Sequence, residues 1–261
     1  MTTDAELLSE LTQRQADIVG IVGERGYATL EALAGRFNVS MQSVRRDIIQ
    51  LDRLGLIQRF HGGAGPSDST IRLGYHEKRS RSAEAKARIG KAAAAMVPVG
   101  AAIFLDVGTT VEAVAENLRG RRAGIRVFTS SLATGMILAG EPDLELHIFG
   151  GISRGPDGSL TGPATVAGIL SIRFDLAFIG YSGFDDDGTV MDYDLDKIAV
   201  KKAAIQRADS TILVGDKSKF DRHAIAHVVA PQAASRLVSD GPPPAQLAEI
   251  FVSSGLEVVV A

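Results

Sequence analysis

The chain has 261 residues, a formal net charge of −3 and no cysteine, with 45% hydrophobic and 23% charged residues. This length allows one large or two smaller domains, the charge excludes a uniformly basic nucleic-acid binder, and the missing cysteine excludes disulfides and thiolate chemistry. Because no apolar run reaches the length of a membrane span and the polar N-terminus is unlike a signal peptide, we expect a cytoplasmic protein with no membrane partner. The five histidines are scattered without ligand spacing, so we expect neither a metal nor a cofactor.

The first 65 residues predict three short helices followed by a hairpin. The expected helices cover residues 12–24, 29–38 and 40–55, and a strand over residues 56–60 turns back through Gly62 and Gly63. Thr12 and Gln15 have the spacing of a capping box at the first helix, and Ser40 is placed to cap the third. Three helices and a wing form a complete DNA-reading module, so we expect a winged helix-turn-helix domain over residues 1–65.

The third helix has two faces of different chemistry. One face, predicted to pack inward, carries Met41, Val44, Ile48 and Leu51 at three- and four-residue spacing. The opposite face carries Gln42, Ser43, Arg46 and Gln50, with Arg45 at its flank. These side-chain types reach phosphates and base edges in a major groove. The alternative is a solvated helix face that merely contains two arginines.

A polar stretch over residues 66–80 is predicted to link this domain to a second one over residues 81–261. Between residues 72 and 91, seven Lys and Arg residues stand against two Glu. Such a basic segment can add contacts to DNA phosphates, although a solvated linker helix explains the same charges. An alanine-rich helix is expected from Ser82 to Met96.

After residue 100, short apolar strands alternate with amphipathic helices. The expected strands cover residues 101–106, 125–129, 144–149, 175–179 and 211–214, and the expected helices lie near 110–119, 131–140, 163–172 and 195–207. This alternation predicts an α/β fold with a doubly wound, mostly parallel sheet. Because ligands bind such sheets outside the carboxyl ends of the strands, the residues that follow each strand are candidates for a binding site.

Glycine and hydroxyl side chains follow several of these strands. The first strand leads into Asp106, Gly108, Thr109 and Thr110, where glycine and a helix N-terminus favour an anion. The alternative is that Thr109 only caps the helix, in a capping box with Glu112. Later loops repeat the pattern with Ser130 and Ser131, with Gly150 and Gly151, and with Ser182 and Gly183. Since Gly and Ser also dominate ordinary turns, the repetition carries more weight than any one loop.

Charged residues follow the later strands. They are Asp192 and Asp196, Lys201 in the next predicted helix, and Asp216 with Lys219 after the last expected strand. Carboxylates accept hydrogen bonds from ligand hydroxyls, and a lysine meets a phosphate as a point charge, although each lysine alone is more often a surface residue. The acidic run over residues 185–187 is expected to be a solvated turn. Together these loops predict a pocket for a small, anionic, polyhydroxylated molecule.

Two sets of motifs resemble the DeoR-type bacterial transcriptional regulators. The reading head is similar at residues 39–47 and 61–64, and the sugar-phosphate-sensing domain is similar at residues 106–110, 150–151 and 216–220. Within the family, the chain most resembles repressors of a glycerol-3-phosphate regulon, at residues 108–115, 191–194 and 240–244. Ser43 replaces the family's usual threonine, and Ser130 replaces its usual asparagine, which leaves the ligand at the second loop open.

The resemblance implies a transcriptional repressor rather than an enzyme, which binds double-stranded operator DNA and is released by a phosphorylated effector. Glycerol-3-phosphate is the first candidate effector, and another sugar or polyol phosphate is the alternative. The implied DNA contacts come from Ser40, Gln42, Ser43, Arg45, Arg46 and Gln50 in the recognition helix, and from Arg59, His61 and Gly62 in the wing. Paired reading heads imply a homo-oligomer, a dimer or a tetramer. A less favoured alternative is an isomerase-like enzyme that uses Asp106, Asp196, Lys201 and Lys219 in acid–base chemistry.

Overall fold

The computed structural model describes residues 11–25, 27–60, 62–66, 82–121, 123–153 and 157–261. The chain divides into two units, Met1–Leu73 and Gly74–Ala261, and each is described by itself. Three expectations fall wholly or partly outside the described residues: the contact from His61, the linker over residues 66–80, and the first half of the basic segment that begins at Arg72.

Within its described residues, the N-terminal unit has three helices and a small antiparallel sheet. Its helices are α1 (Gln13–Arg25), α2 (Leu30–Phe37) and α3 (Met41–Leu54), and its strands are β1 (Ala28–Thr29), β2 (Ile57–Phe60) and β3 (Gly63–Pro66). β3 pairs antiparallel with β2 on one side and with β1 on the other. The expected winged helix-turn-helix fold is confirmed.

Local sequence signals explain where these helices begin and end. Thr12 and Gln15 form the expected capping box, because Thr12 N donates to Gln15 Oε1 at 3.0 Å and Gln15 N donates to Thr12 Oγ1 at 3.3 Å. The Ser40 hydroxyl accepts from Ser43 N at 3.2 Å at the start of α3. Gly55 ends α3 in the left-handed region, with φ of 80°. The bounds of α3 are therefore those that the sequence predicts.

A hydrophobic core shared by the three helices and the sheet holds α3 in place. Its buried members include Ile18, Leu33, Val44, Ile48, Leu51 and Ile57. Met41 was expected on the same inward face, but its side chain is 52% exposed, so that expectation is wrong. Met41 is the first residue of α3 and lies one turn ahead of Val44, the first position of the helix that the core covers.

The C-terminal unit is built on a seven-stranded sheet that is parallel throughout. Its strands are β4 (Ala102–Leu105), β5 (Ile125–Thr129), β6 (Leu144–Ile148), β9 (Phe174–Gly180), β12 (Ala208–Val214), β14 (Arg236–Ser239) and β15 (Glu257–Val260). They lie in the order β15-β14-β12-β9-β4-β5-β6. Both faces of the sheet are buried, since Phe104 belongs to one hydrophobic core and its neighbours Ile103 and Leu105 to another.

Helices cover the sheet, as the α/β expectation requires. They are α4 (Ala83–Ala95), α5 (Thr109–Leu118), α6 (Leu132–Leu138), α7 (Pro163–Leu170), α8 (Leu195–Arg207) and α9 (Ala245–Ser253). Each strand and helix expected from residue 82 onward is present within a few residues of its predicted bounds. In the described part of the chain, no helix is long and apolar enough to cross a membrane.

Two small antiparallel sheets begin just after main strands end. β7 (Ile152–Ser153) follows β6 and pairs with β8 (Leu160–Thr161). β10 (Gly183–Phe184) follows β9 and pairs with β11 (Val190–Asp192), which pairs with β13 (Ala226–Val229). The acidic residues 185–187 lie in the turn between β10 and β11, as expected.

The sequence interpretation missed the end of the sheet. β14 and β15, with α9 between them, add two parallel strands beyond β12. β14 has only four residues and two of them, Arg236 and Ser239, are polar, so no apolar run marks it. β15 has the sequence Glu-Val-Val-Val, but as an edge strand it is only partly buried and lacks the clear pattern of a central strand.

Candidate functional site

The polar side chains of α3 form one solvent-facing surface. Gln42, Arg45 and Arg46 are exposed and Ser43 is half-buried, opposite the face that packs in the core. The structure therefore brings the predicted recognition residues together. Gln50 is also exposed, but its Oε1 accepts from Gln15 Nε2 of α1 at 3.0 Å, which ties this side chain to α1.

A buried carboxylate fixes α3 against α1. Asp47 is 7% exposed, and its Oδ2 accepts from Arg14 Nε at 2.7 Å while its Oδ1 accepts from Gln15 Nε2 at 3.4 Å. Sequence reasoning did not find this contact. A signal was present, because an acidic side chain on a DNA-facing surface would repel phosphates, so Asp47 beside Arg46 had to face the protein interior.

The wing is a tight hairpin in which β2 and β3 pair directly. Gly62 has φ of 94° and is exposed, a backbone conformation that favours glycine. Gly63 is required for a different reason, since a Cβ there would lie 2.3 Å from Ala28 O in the paired strand. Arg59 is exposed on β2, and its backbone N donates to Asp52 Oδ1 at the end of α3 at 2.9 Å. The wing is thus tied to α3.

In the second unit, the loop after β4 leads directly into the N-terminus of α5. Gly108 is the N-cap of α5, with φ of 126° and no side-chain capping bond. Thr109 and Thr110 are the first two residues of the helix itself. The N-cap therefore lies one residue before Thr109, which the alternative interpretation places at the capping position. Thr110 is 9% exposed, and Thr109 is more open.

A buried ion-pair network joins three strand ends. Lys201 on α8 is 2% exposed, and its ammonium contacts Asp106 Oδ2, lies 3.3 Å from Asp192 Oδ2 and donates to Gly180 O at 2.7 Å. Gly180 N donates to Asp106 Oδ2 at 3.1 Å, and Ser182 Oγ donates to Asp192 Oδ1 at 2.7 Å. Lys201, predicted to meet a phosphate directly, is thus held by two carboxylates and a carbonyl.

The network favours the charged forms of Lys201 and Asp192, whereas burial raises the pKa of Asp106 above its usual value in spite of the Lys201 ammonium. Burial lowers the pKa of Lys201, but the Asp106 and Asp192 carboxylates outweigh burial, and the net pKa lies above its usual value. Burial raises the pKa of Asp192, but the Lys201 ammonium and the Ser182 hydroxyl hold it below its usual value. Lys201 therefore remains protonated at neutral pH and serves poorly as a general base.

Several buried polar atoms without a hydrogen-bond partner lie near the carboxyl ends of the parallel strands. Among the described residues they are Asp106 Oδ1, Ser130 Oγ, Thr134 Oγ1, Tyr181 OH and Ser239 Oγ. Asp106 follows β4 and Ser130 follows the neighbouring strand β5, so these two atoms lie on adjacent strand ends. Burying a polar group without a partner costs about 1–3 kcal/mol, unless a water or a ligand supplies the missing bond.

Other predicted residues have structural roles at the same edge. Ser131 caps α6, because its Oγ accepts from Thr134 N at 3.1 Å. A Cβ at Gly151 would lie 2.2 Å from Thr165 Oγ1, and a Cβ at Gly183 would lie 2.0 Å from Arg222 O, so close packing explains both glycines. Asp216 caps a short 3₁₀ helix by accepting from Ser218 N at 3.1 Å.

The remaining predicted residues lie in the segments that follow β6, β11 and β12. Gly150 follows β6, and its carbonyl accepts from Thr165 Oγ1 at 2.7 Å. Asp196 and Lys219 are half-buried, in the first turn of α8 and in the 3₁₀ helix after β12. Tyr181 and Ser239 were missed by sequence reasoning. In the segment over residues 180–183, the sequence interpretation considered only the glycines and the serine and passed over Tyr181. Ser239 is the last residue of β14, a strand that was not predicted.

One described cluster has the donor set for a metal ion. Ligand atoms of Asp185, Asp186 and His223 lie within 4.8 Å of one another. Asp186 and His223 are exposed, and Asp185 is also paired with His227 Nε2 at 2.8 Å. An exposed acidic turn of this kind is common in proteins that bind no metal there.

Both units match known protein families. The model of the DeoR-like helix-turn-helix domain matches residues 14–70, and that of the DeoR C-terminal sensor domain matches residues 81–241. The glycerol-3-phosphate regulon repressor of Escherichia coli (strain K12) is 33% identical over 95% of this chain and 98% of its own length. The glycerol-3-phosphate regulon repressor of Haemophilus influenzae is 37% identical over 82% of this chain and 84% of its own length.

Solved structures give weaker matches. The ribose 5-phosphate isomerase A of Methanocaldococcus jannaschii aligns with 52% of this chain and 53% of its own, at 16% identity and a TM-score of 0.39. A likeness at this level carries no argument about function.

Proposed function

The chain belongs to the DeoR family of transcriptional repressors, and from this membership we propose that glycerol-3-phosphate releases it from its operator DNA. The N-terminal unit would hold the DNA, and the strand ends of the C-terminal unit would bind the effector. Two relatives named for a glycerol-3-phosphate regulon, at 33% and 37% identity, support this choice of effector. Another sugar or polyol phosphate is the alternative.

The DNA half of the proposal rests on the exposed face of α3. Arg45 and Arg46 can neutralise phosphates or bind guanine bidentately, and Gln42 and Ser43 can reach neighbouring base edges. Arg59, His61 and Gly62 of the wing would contact the backbone or the minor groove. Because Gln50 is tied to Gln15, we assign it a smaller share of the contacts.

The observation that carries the sensor half is the pair of buried, unpartnered atoms Asp106 Oδ1 and Ser130 Oγ on adjacent strand ends. A ligand hydroxyl can donate to the carboxylate and accept from the serine. The phosphate would bind at the start of α5, where Thr109, Thr110 and the helix N-terminus favour an anion. Lys201 would act as a positioning residue, because it holds Asp106 Oδ2 and leaves Oδ1 to the ligand.

In the proposed pocket, the other predicted contacts surround the ligand's phosphate and its hydroxyl. They are Ser131, Gly150, Gly151, Ser182, Gly183, Asp192, Asp196, Asp216 and Lys219. Their structural roles are compatible with ligand contact, since a hydroxyl that accepts a capping bond can still donate one. Effector and DNA would oppose each other by a coupling of about 1–3 kcal/mol, and DNA must then weaken effector binding by the same factor.

We also propose that the protein acts as a homo-oligomer, a dimer or a tetramer. Exposed apolar side chains at the β6 edge support this, namely Leu132, Met136, Ile148 and Ile152. α6 packs directly on β6, since a Cβ at Gly135 would lie 2.5 Å from Ile148 Cδ1. Light scattering should show an oligomer that Met136→Glu weakens, whereas a wild-type monomer would contradict this part of the proposal.

The test is fluorescence anisotropy of the purified full chain on DNA from its own upstream region. We expect glycerol-3-phosphate to release the DNA, and neither glycerol nor inorganic phosphate to do so at the same concentration. Release by a different sugar phosphate alone would keep the regulator and replace the effector. Absence of DNA binding, or turnover of a sugar phosphate by the full chain, would contradict the proposal.

A further inference from the structure

Two buried hydroxyls at the sheet edge are not used by the proposed effector contacts. Tyr181 is 6% exposed and Ser239 fully buried, and the structure gives neither Tyr181 OH nor Ser239 Oγ a hydrogen-bond partner. Tyr181 directly follows β9, and Ser239 is the last residue of β14. Since β9 and β14 are the two neighbours of β12, both hydroxyls flank the end of that strand.

The phenol of Tyr181 lies over the glycine that follows β12. A Cβ at Gly215 would lie 2.7 Å from Tyr181 Cζ and 2.9 Å from Tyr181 OH, so only glycine leaves room for this ring. Gly215 N donates to Val238 O at 3.2 Å, which places the residue before Ser239 beside the same glycine. The ring itself is fixed by Phe184, with centroids 4.8 Å apart.

The surroundings select the kind of group that can satisfy these hydroxyls. Burial, and then the carboxylates of Asp216 and Asp240, raise the pKa of Tyr181 well above its usual value, so its hydroxyl stays a neutral donor. An alcohol can accept from the phenol and also donate to a nearby carboxylate. A phosphate dianion has no proton to donate in this way, and the carboxylates disfavour its charge there.

We propose that Tyr181 and Ser239 bind a hydroxyl of the effector, at the end of the molecule away from its phosphate, and that they select for ligands carrying that hydroxyl. This inference rests on the proposed function and adds two residues to the proposed pocket. It also divides the pocket, with the phosphate at the start of α5 and a polyol hydroxyl between the ends of β9 and β14.

The test combines a protein change with a ligand change. Tyr181→Phe removes one oxygen, and Ser239→Ala removes the other, while 2-hydroxypropyl phosphate and 3-hydroxypropyl phosphate each lack one hydroxyl of glycerol-3-phosphate. The readout is the concentration that releases half of the DNA. Tyr193→Phe is the matched control, because its hydroxyl donates to His223 O at 2.8 Å in an exposed bond.

For Tyr181→Phe, the half-release concentration of glycerol-3-phosphate should rise by about three- to tenfold, the equivalent of one neutral hydrogen bond. Release by 2-hydroxypropyl phosphate should be unaffected by the change, because this ligand lacks the terminal hydroxyl that Tyr181 binds, whereas release by 3-hydroxypropyl phosphate should weaken as it does for glycerol-3-phosphate. Tyr193→Phe should respond as the wild type does. DNA affinity without effector should be the same in all variants.

Two results would overturn the inference. If Tyr181→Phe and Ser239→Ala respond to all three phosphates as the wild type does, the hydroxyls do not meet the ligand. If the loss is equal for all three, the change distorts the pocket and selects nothing. Failure of the proposed function is visible separately, in the wild type's response to glycerol-3-phosphate. If another phosphate releases the wild type, the comparison uses that phosphate and its deoxy forms.

Discussion

The two units expose their polar groups in opposite ways. In the N-terminal unit, Arg45 and Arg46 stand in solvent on a helix whose other side is packed. In the C-terminal unit, Asp106 and Ser130 are fully buried at adjacent strand ends. An exposed basic surface can bind a long polyanion such as DNA, because the high charge density of the polyanion provides many phosphate contacts. A small ligand offers few groups, so its site must hold buried partners in fixed positions.

The ion pairs that support these surfaces differ in the same way. Arg14 and Asp47 tie α3 to α1, and the Arg14 side chain remains 37% exposed. Lys201 and its two carboxylate partners are shielded from water. Removing one member of a buried pair leaves an uncompensated charge, whereas a half-exposed pair is partly replaced by water. Equivalent substitutions should therefore have unequal effects in the two units.

The largest effect is expected for Lys201→Met. Asp106 and Asp192 would be left buried without their shared cation, and such a loss costs about 3–5 kcal/mol of unfolding free energy. Urea denaturation of the full chain should show the change. Lys202→Met is the matched control, because Lys202 is the exposed neighbour on the same helix and should unfold as the wild type does. Equal midpoints for the two variants would contradict the role of the network.

Acid should weaken the same network. The pKa of Asp192 is held below its usual value of 3.8, so its contribution is present at neutral pH and is lost as the pH falls through the folded-state pKa. The wild type should therefore lose the Asp192 contribution below pH 3.8, whereas Asp106, whose pKa burial raises, adds no loss of stability in that range. Lys201→Met lacks the cation that lowers the pKa of Asp192 and should show a shallower loss. Parallel pH profiles would argue against the assignment.

The sequence predicted α3 and the first strand ends correctly, because capping residues and apolar spacing are visible within a short segment. Contacts between residues far apart in the sequence leave no such local pattern. The cap at Ser40 and the spacing of Val44, Ile48 and Leu51 lie within one helix, so the sequence displays them directly. Asp106 and Lys201 are 95 residues apart, and their pairing depends on how β4, β9 and α8 pack. Nothing in either local sequence specifies that partner.

The same distinction explains the hydroxyls at the sheet edge. Ser130 was found because it follows an apolar strand. Tyr181 and Ser239 were missed, since being buried without a partner is a property of the folded surroundings and not of the sequence nearby. Met41 shows the converse error, because periodicity predicts a face but not how far the core covers it.

On the DNA side, Arg46→Ala should weaken operator binding by about 1–3 kcal/mol if this side chain contacts guanine bidentately. The folded state should be unaffected, because Arg46 is exposed on α3. Anisotropy titrations on operator and on scrambled DNA give the two affinities. A loss confined to the operator indicates base contact, and an equal loss on both indicates phosphate contact. Wild-type affinity on both sequences would contradict the proposal that α3 binds in the major groove.

Thr109→Val should raise the half-release concentration of the effector by about tenfold, since one hydrogen bond to a charged group is lost. The helix should be maintained, because the N-cap of α5 is Gly108. The melting temperature and the DNA affinity without effector are the controls. A lower melting temperature with unchanged effector response would show that the hydroxyl supports the fold and not the ligand.

The smallest effect is expected for Arg14→Gln. Arg14 is an arginine of the reading unit, as Arg46 is, but its guanidinium donates to Asp47 within the protein. Gln15 can still donate to that carboxylate, and water can reach the pair, so the urea midpoint should fall by less than in Lys201→Met. The salt dependence of operator binding separates the two arginines. Loss of a phosphate contact lowers the slope of log affinity against log salt by about one unit, and Arg14→Gln should leave the slope unchanged. A reduced slope in Arg14→Gln would place this arginine at the DNA and remove the distinction between an exposed reading face and an internal support.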